Sequence, residues 1–394
     1  MVEKADFPLF LHSSGQWAKK VKGKTRYFGT VKSEALAKWE KENEFIQAGV
    51  DPPRYQQSVT LAELGNVYAD FLRRQVASGE LGERTASEYR RSIARLVEIV
   101  GSDCCVGQLK PIDFGTIKER LAEPIAVAEG SARYGGRTVK RRAMTTVAID
   151  VRNLRVFFNW CFNQEHIEAV PRYGSEFSPV SRKVLQRKRA KDGKKDLDAK
   201  TILATIQKSK PAMRAIILLG INAGVGNQDI ADMRLSDLPK LAGEVWVDLP
   251  RGKTGAPRRF LLWPETVQAI KTYLVCRPKP AGADNRTRLF LTRNGLAWVR
   301  QDGELRTDSI GSQFAKARKA AGATRGAFYD LRRTFRTRAA MTRDREAVDH
   351  VMGHLPDASD MGAVYNQWID DDRIRRVCDH VRAWLFADAE GGDV

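Results

Sequence analysis

The sequence predicts a mainly α-helical fold with small β-sheets, an α+β chain in several parts, and three observations predict it. Helical periodicity fills residues 60–164 and most of 196–394, short apolar runs broken by turn residues occupy 7–30, and a pair of strand-like runs flanks residue 253. At 394 residues, with 42% hydrophobic and 29% charged residues, the chain has the size of two or three soluble globular domains.

Residues 7–30 read FPLFLHSSGQWAKKVKGKTRYFGT, in which Ser13-Ser14-Gly15 and Gly23 punctuate a small strand meander; a helix is expected over Ser33–Ala48. Lys19, Lys20, Lys22, Lys24 and Arg26 alternate with Trp17, Val21, Tyr27 and Phe28, so a basic face and an apolar face can coexist. Such a ribbon fits a DNA groove, or serves as a solvated sheet face. Residues 1–50 are one module, and Asp51-Pro52-Pro53 marks a linker.

Residues 58–168 predict a helical bundle. Capping boxes at Thr60–Glu63 and Thr85–Glu88 start the first two helices. Apolar stripes follow in Leu61, Leu64, Tyr68, Phe71 and Leu72, and in Ile93, Leu96, Val97 and Val100. A shorter helix follows Pro111, and a long one carries Val147, Val151, Leu154, Phe158 and Cys161. Between these last two lies a basic loop with Arg133, Arg137, Lys140, Arg141 and Arg142. Residues 181–195, SRKVLQRKRAKDGKK, hold eight basic residues against Asp192 and read as a charged interdomain linker suited to lie against phosphates.

The region 196–394 is mixed. Helices are expected at 198–208, 211–223 and 227–234, then strands Glu244–Leu249 and Arg258–Leu262 joined by Pro250-Arg251-Gly252-Lys253-Thr254-Gly255, then helices from Pro264 to the end. Ile374, Val377, Val381, Trp384 and Leu385 form a last apolar stripe that must bury in its own domain or against a second protomer.

Composition narrows the partners. Sixty-seven Lys and Arg against 48 Asp and Glu leave a net charge of +19, the footprint of a polyanion binder, and nucleic acid leads that class. The five cysteines form neither a CxxC pair nor a disulfide framework, and no metal site is expected. The longest apolar stretch, Ala215–Val225, is about half a bilayer span, and MVEKADFPLF lacks a signal-peptide core, so the expected location is the cytoplasm with no membrane partner. Gly252-Lys253-Thr254 fails as a P-loop, because Val247 stands at the required glycine and a strand follows. His350 and His354 fail as a zinc pair, because no Glu follows His350 and Gly353 ends the helix.

Other residues use these positions better. Phe328-Tyr329-Asp330-Leu331-Arg332-Arg333-Thr334-Phe335 opens a helix, Val351-Met352-Gly353-His354 ends another, and Tyr365 follows eleven residues on. In order and spacing this set resembles the tyrosine recombinase family of phage-type integrases, whose catalytic domains carry a His-x-x-Arg box, a Gly-His box and a nucleophilic tyrosine. The resemblance spans roughly 185–390, and the upstream bundle and meander resemble that family's core-binding and arm-binding domains. It implies a site-specific recombinase of mobile-element type that cuts and rejoins DNA through a 3′-phosphotyrosine. Tyr365 would be the nucleophile, Arg332 and His354 transition-state donors, and Lys253 the general acid. Tyr329 stands at the family's histidine position.

By the same resemblance Ala223-Gly224-Val225 aligns with the family's Thr-Gly-Leu, Asp229 with its acidic residue, and Gly226 with its first catalytic arginine. Losing one such donor costs about 10²- to 10³-fold in rate. Arg214, Arg234, Arg258 and Arg259 are candidates to compensate, Arg258 and Arg259 first, and strand alternation allows at most one of these two to face a phosphate. The resemblance also implies double-stranded DNA as partner, and the basic meander, loop and linker offer Lys19, Lys20, Lys22, Arg141, Arg142, Arg187, Lys188 and Arg189 as the expected contacts. It implies a homotetramer on DNA, an accessory DNA-bending protein and no cofactor. The rival readings are an inactive integrase-like architectural or regulatory DNA-binding protein, favoured by Gly226, and a single-duplex topoisomerase.

Overall fold

A computed structural model of the chain describes residues 7–49, 59–124, 142–302, 305–355 and 368–387. The chain divides at Gln186/Arg187 into two compact units. In the first unit, strands β1 (Phe10–Leu11), β2 (Trp17–Val21) and β3 (Lys24–Gly29) form an antiparallel sheet in sequence order, covered by helix α1 (Lys32–Ala48). Leu9, Phe28, Ala35, Trp39 and Ile46 make its small core. Lys19 lies over the Trp39 ring of α1 at 5.6 Å, while Lys20 and Lys22 are exposed.

The same unit contains a bundle of α2 (Leu61–Ala77), α3 (Glu83–Val100), α4 (Pro111–Leu121) and α5 (Met144–Asn163). The capping box at Thr60 forms, with Glu63 N–H donating to Thr60 Oγ1 at 3.2 Å and Thr60 N–H to Glu63 Oε2 at 2.8 Å. The expected box at Thr85 does not: α3 starts earlier, after Gly82, and Glu88 takes an ion pair from Arg84 instead. Leu61, Leu64, Tyr68, Leu72, Ile93, Leu96, Val147, Val151, Leu154, Phe158 and Cys161 are buried together. Asp150, also buried, accepts from Ser92 at 2.8 Å, Arg95 at 2.8 Å and Arg142 at 2.5 Å. Arg142 also donates to Leu121 O at 2.7 Å, and its side chain is only 8% exposed. This corrects its expected place on a phosphate-facing loop: the buried carboxylate needs its charge. Arg133, Arg137, Lys140 and Arg141 lie outside the described residues.

Residues Arg182–Asp192, within the expected basic linker, are helix α6, with no buried residue. Lys188 holds Asp192 one turn on at 2.8 Å, and the run lacks glycine and proline, so nothing local opposes the helix. Arg187 and Arg189 are exposed on it.

The second unit is built on α8 (Pro211–Asn222), an almost wholly buried helix, packed by α7 (Ala199–Gln207), α10 (Pro264–Val275), α11 (Ser309–Ala320) and α12 (Phe328–Ala339). Gly220 admits this closeness, since a Cβ there would meet the Phe328 ring at 2.8 Å. The short α9 (Asn227–Asp232) follows α8, and strands β4 (Val245–Asp248) and β5 (Arg259–Leu262) form the expected hairpin, Val245 opposite Leu262 and Asp248 opposite Arg259. A second hairpin, β6 (Val299–Asp302) with β7 (Leu305–Asp308), falls where only helix was expected. Its sequence VRQDGELRTD has no apolar alternation, so its strands carried no period-two signal. Helices α13 (Arg345–Met352) and α14 (Asp371–Phe386) complete the unit. Ile374, Val377, Val381 and Leu385 of α14 are buried in the unit's own core, and Arg338 covers Trp384 at 4.4 Å, which settles where that stripe goes.

Asn222, the polar residue of the apolar stretch, is fully used. Its Nδ2 donates to Leu261 O at 2.9 Å, and its Oδ1 accepts from Trp263 N–H at 2.9 Å and Thr266 Oγ1 at 3.0 Å, clamping the end of β5 and the start of α10 onto α8. Asn222→Leu should therefore destabilise the protein by about 3 kcal/mol or more, because three buried polar groups lose partners at about 1–3 kcal/mol each. Chemical denaturation of the full chain checks this.

Candidate active site

The site is assembled where the ends of α8 and α13 meet α12. Arg332 lies one turn into α12, whose start is fixed by Ala327 N–H donating to Asp330 Oδ2 at 2.8 Å. Its stem is buried, and its Nη1 donates to Gly224 O at 2.5 Å and its Nη2 to Met352 O at 2.8 Å. Both carbonyls are aimed by glycines with positive φ, Gly224 at +61° and Gly353 at +62°, the latter ending α13 in the left-handed conformation. Burial and then the nearby Arg251 charge lower the Arg332 pKa to about 10.

His354 follows Gly353. Its Nε2 lies 2.8 Å from Arg332 Nη2 and its Nδ1 lies 3.0 Å from Asp349 Oδ1. A guanidinium only donates, so Nε2 is the acceptor and Nδ1 carries the hydrogen toward Asp349. Burial, with Arg332 and Arg251 adding to it against the raising effect of Asp349, holds His354 below its ordinary pKa and keeps it neutral. Beside Arg332 and His354 opens a cleft of ≈ 690 Å³, with Tyr329, Lys194, Lys195 and Arg333 also on its wall. Tyr329 is half exposed and stacks under the Arg333 guanidinium at 5.3 Å.

Lys253 is exposed on the turn between β4 and β5. That turn is fixed at its root: Arg251 N–H donates to Ala256 O at 2.9 Å, and Arg251 O accepts from Gly255 N–H at 2.8 Å and Thr254 N–H at 3.1 Å. Arg258 and Arg259 diverge as alternation requires. Arg258 is completely buried, with Nε on Leu249 O at 2.8 Å and Nη1 on Asp229 Oδ2 at 2.9 Å. Arg259 turns away to Asp371 and Asp248 and stacks on Trp246, which corrects its candidacy as a phosphate ligand: both carboxylates already claim it. The Arg234 guanidinium donates to Thr287 Oγ1 while its backbone N–H donates to Asp237, and Arg214 is exposed on the opposite end of α8. Tyr365 lies outside the described residues.

Reasoning from sequence missed Arg251, two residues before Lys253. Its Nη1 reaches Gly353 O at 3.4 Å, and its charge is felt at Arg332, Arg258 and His354. The signal was present in the turn itself, but a turn arginine has no periodicity to say where it points. Lys194 and Lys195, on the wall of the cleft, were counted only as linker charge.

A cluster of guanidiniums and an imidazole satisfied mainly by neutral carbonyls can bind a multiply charged oxyanion. Residues 195–368 match the model of the phage integrase family. The C-terminal unit belongs to that family, the tyrosine recombinases. No curated protein matches the chain. A lambda integrase dimer bound to a COC′ core site superposes with a TM-score of 0.51 at 15% identity, over 92% of this chain and 97% of that one. The Tn1549 transposon integrase in complex with transposon right end DNA gives 0.52 at 16%, over 82% and 100%. These likenesses are of fold, and they agree with the mainly helical tyrosine-recombinase architecture described above. Among the described residues, no helix is long and apolar enough to cross a membrane and no cluster could hold a metal ion.

The two site glycines should respond differently to substitution. Gly353→Ala should cost about 1–2 kcal/mol in stability for its left-handed φ, and more because its Cβ would lie 3.0 Å from Arg251 Cβ. Gly226→Ala should be near neutral, since its φ is −83° and nothing lies within 4 Å. Thermal unfolding of both variants checks the contrast.

Burial also depresses His350, so the unfolded chain binds more protons than the native one as pH falls below the ordinary histidine value of 6.5. Stability should be full above that pH and erode below it. His354→Gln should shallow that slope by up to about one proton in melting curves taken between pH 5 and 8.

Proposed function

We propose that this chain is a site-specific DNA recombinase that cuts and rejoins duplex DNA through a 3′-phosphotyrosine. The observation that carries the reading is the convergence of Arg332 and His354 at 2.8 Å beside the Lys253 turn, in a domain of the integrase family. Tyr365 attacks phosphorus, its proton passing through water to bulk, and the P–O5′ bond breaks. Lys253 protonates the leaving 5′-oxygen. Arg332 stabilises the charge that accumulates on the non-bridging oxygens, and His354, anchored through Nδ1 to Asp349, orients that guanidinium through Nε2. The phosphotyrosine conserves the bond energy, so a 5′-hydroxyl of a second strand reverses the step without a nucleotide cofactor. Tyr329 hydrogen-bonds the phosphate from the position the family gives to histidine.

The remaining regions fit DNA as partner. Residues 1–50 act as an arm-binding module, 58–168 as a core-binding domain and 181–195 as a basic connector, with Lys20, Lys22, Arg187 and Arg189 exposed for phosphate contact. One structural relative is a lambda integrase tetramer on a Holliday junction, and a tetramer on DNA is the working assembly proposed here. Gly226 favours a second reading, a silent DNA-binding protein of the same fold.

Tyr365→Phe should bind a duplex selected from random-sequence DNA as tightly as the unmodified protein and form no covalent adduct on its nicked form, seen on a denaturing gel. Equal adduct from the variant removes Tyr365 from the mechanism, and no adduct from either protein favours the silent reading. Binding of that duplex should fall steeply with salt, with log K against log salt losing about 0.9 for each phosphate neutralised. A flat dependence overturns the basic surface as the source of affinity.

A further inference from the structure

Gly226 leaves the site without the cation expected at that position, and another cation of the site already has a place. An added Cβ on Gly226 meets no heavy atom within 4 Å, so nothing packs on that backbone position. Across the Gly353 turn, however, Arg251 and Arg332 donate to consecutive carbonyls, Gly353 O and Met352 O, which brings two guanidiniums to one strip of backbone. Like charges held this close disfavour one another unless an anion joins them. The acids of the neighbourhood are committed elsewhere, Asp229 to Arg258 and Asp349 to His354 and Arg336.

The backbone is shaped to keep Arg251 there. Gly353 must lack a side chain, because a Cβ would approach Arg251 Cβ at 3.0 Å and Arg251 Cδ at 3.5 Å. The stem of Arg251 thus rests on Gly353, immediately before His354. Arg258, like Arg259 an arginine of the same hairpin, is committed elsewhere. Its side chain is wholly buried and two of its nitrogens are bound to Leu249 O and Asp229, so it braces the hairpin against α9. Arg251 is half-buried and holds its carbonyl at a long 3.4 Å, a contact that a phosphate oxygen can displace.

We propose that Arg251 is a catalytic residue that supplies the guanidinium Gly226 lacks, gripping a non-bridging oxygen of the scissile phosphate opposite Arg332. The catalytic half of this inference rests on the recombinase reading above; the anion-binding half does not. No bond is made or broken by Arg251, which only donates hydrogen bonds.

The test uses the full-length protein. Arg251→Gln keeps most of the stem on Gly353 and removes the charge. Inorganic vanadate, titrated while the His354 ring is followed by NMR, should bind about tenfold more weakly to the variant than to the unmodified protein, the loss of one charge-assisted hydrogen bond. Single-turnover adduct formation on the selected nicked duplex should fall by about 10²-fold or more. Gly226→Arg placed in the Arg251→Gln background should recover at least about tenfold of either loss, since it returns a guanidinium to the same side of the phosphate. A merely structural arginine would not be rescued in this way. Vanadate binding and adduct formation unchanged in Arg251→Gln, or losses that Gly226→Arg fails to recover in a folded double variant, overturn the proposal. If the unmodified protein forms no adduct, the recombinase reading fails, and the vanadate titration still decides whether Arg251 binds the anion.

Discussion

Burying the guanidinium of Arg332 constrains everything around it. A cation taken out of water must find hydrogen-bond acceptors, and the obvious solution, a carboxylate, would cancel the charge that makes it useful. This chain uses Gly224 O, Met352 O and His354 Nε2 instead, three neutral acceptors from two segments. The donors are satisfied and the positive charge survives. The arrangement also dictates sequence: the carbonyls come from helix ends, and those ends turn at Gly224 and Gly353 because left-handed backbone strongly favours glycine. A Cβ on Gly224 would in addition meet Phe335 at 3.2 Å and Arg332 Cγ at 3.5 Å, so the same residue that aims the carbonyl makes room for the arginine's stem.

Acids near the site are placed one step back from it. Asp330 caps α12, Asp349 orients His354, and Asp229 fixes Arg258, so each carboxylate positions a donor or a backbone without touching the Arg332 guanidinium. Neutral His354 follows from this layout. Protonated, it would present a cation to Arg332 at the distance where it now accepts a hydrogen bond. Farther out, Arg259, Asp248 and Asp371 form a separate brace that ties the β4–β5 hairpin to the start of α14. Two adjacent arginines therefore do two jobs, decided by which face of a strand each occupies.

Much of this could be read from the residues. Thr60–Glu63, Pro111 and Pro211 mark helix starts by local chemistry, and the stripes of α2, α5 and α14 became core because the period of 3.6 places them on one face. Arg332 and His354 were legible as a motif, and their contact is what the structure adds. Arg142 was not legible, because its partner Asp150 lies well inside α5 and nothing local separates a buried arginine from a solvated one. The β6–β7 hairpin escaped for the opposite reason: strands made mainly of polar residues leave no alternation to detect. Arg251 escaped because a turn has no face, so its direction is set by the Gly353 it packs on, about a hundred residues away.

Placing a cation on the hairpin turn has a mechanical consequence that a cation on α9 would not. Lys253 is exposed, and an exposed turn lysine has nothing of its own to hold it toward a leaving group. Arg251 shares its backbone, and Arg251 is held three ways, by Ala256 and Gly255 within the turn and by the Gly353 surface outside it. Arg258 adds a fourth restraint at the strand's base through Leu249 and Asp229. In the proposed reaction, an arginine that binds phosphate from this turn brings Lys253 with it. The phosphate contact and the delivery of the proton to the 5′-oxygen then become one event on one rigid segment, whereas an arginine at 226 would bind the same oxygen and leave the turn free.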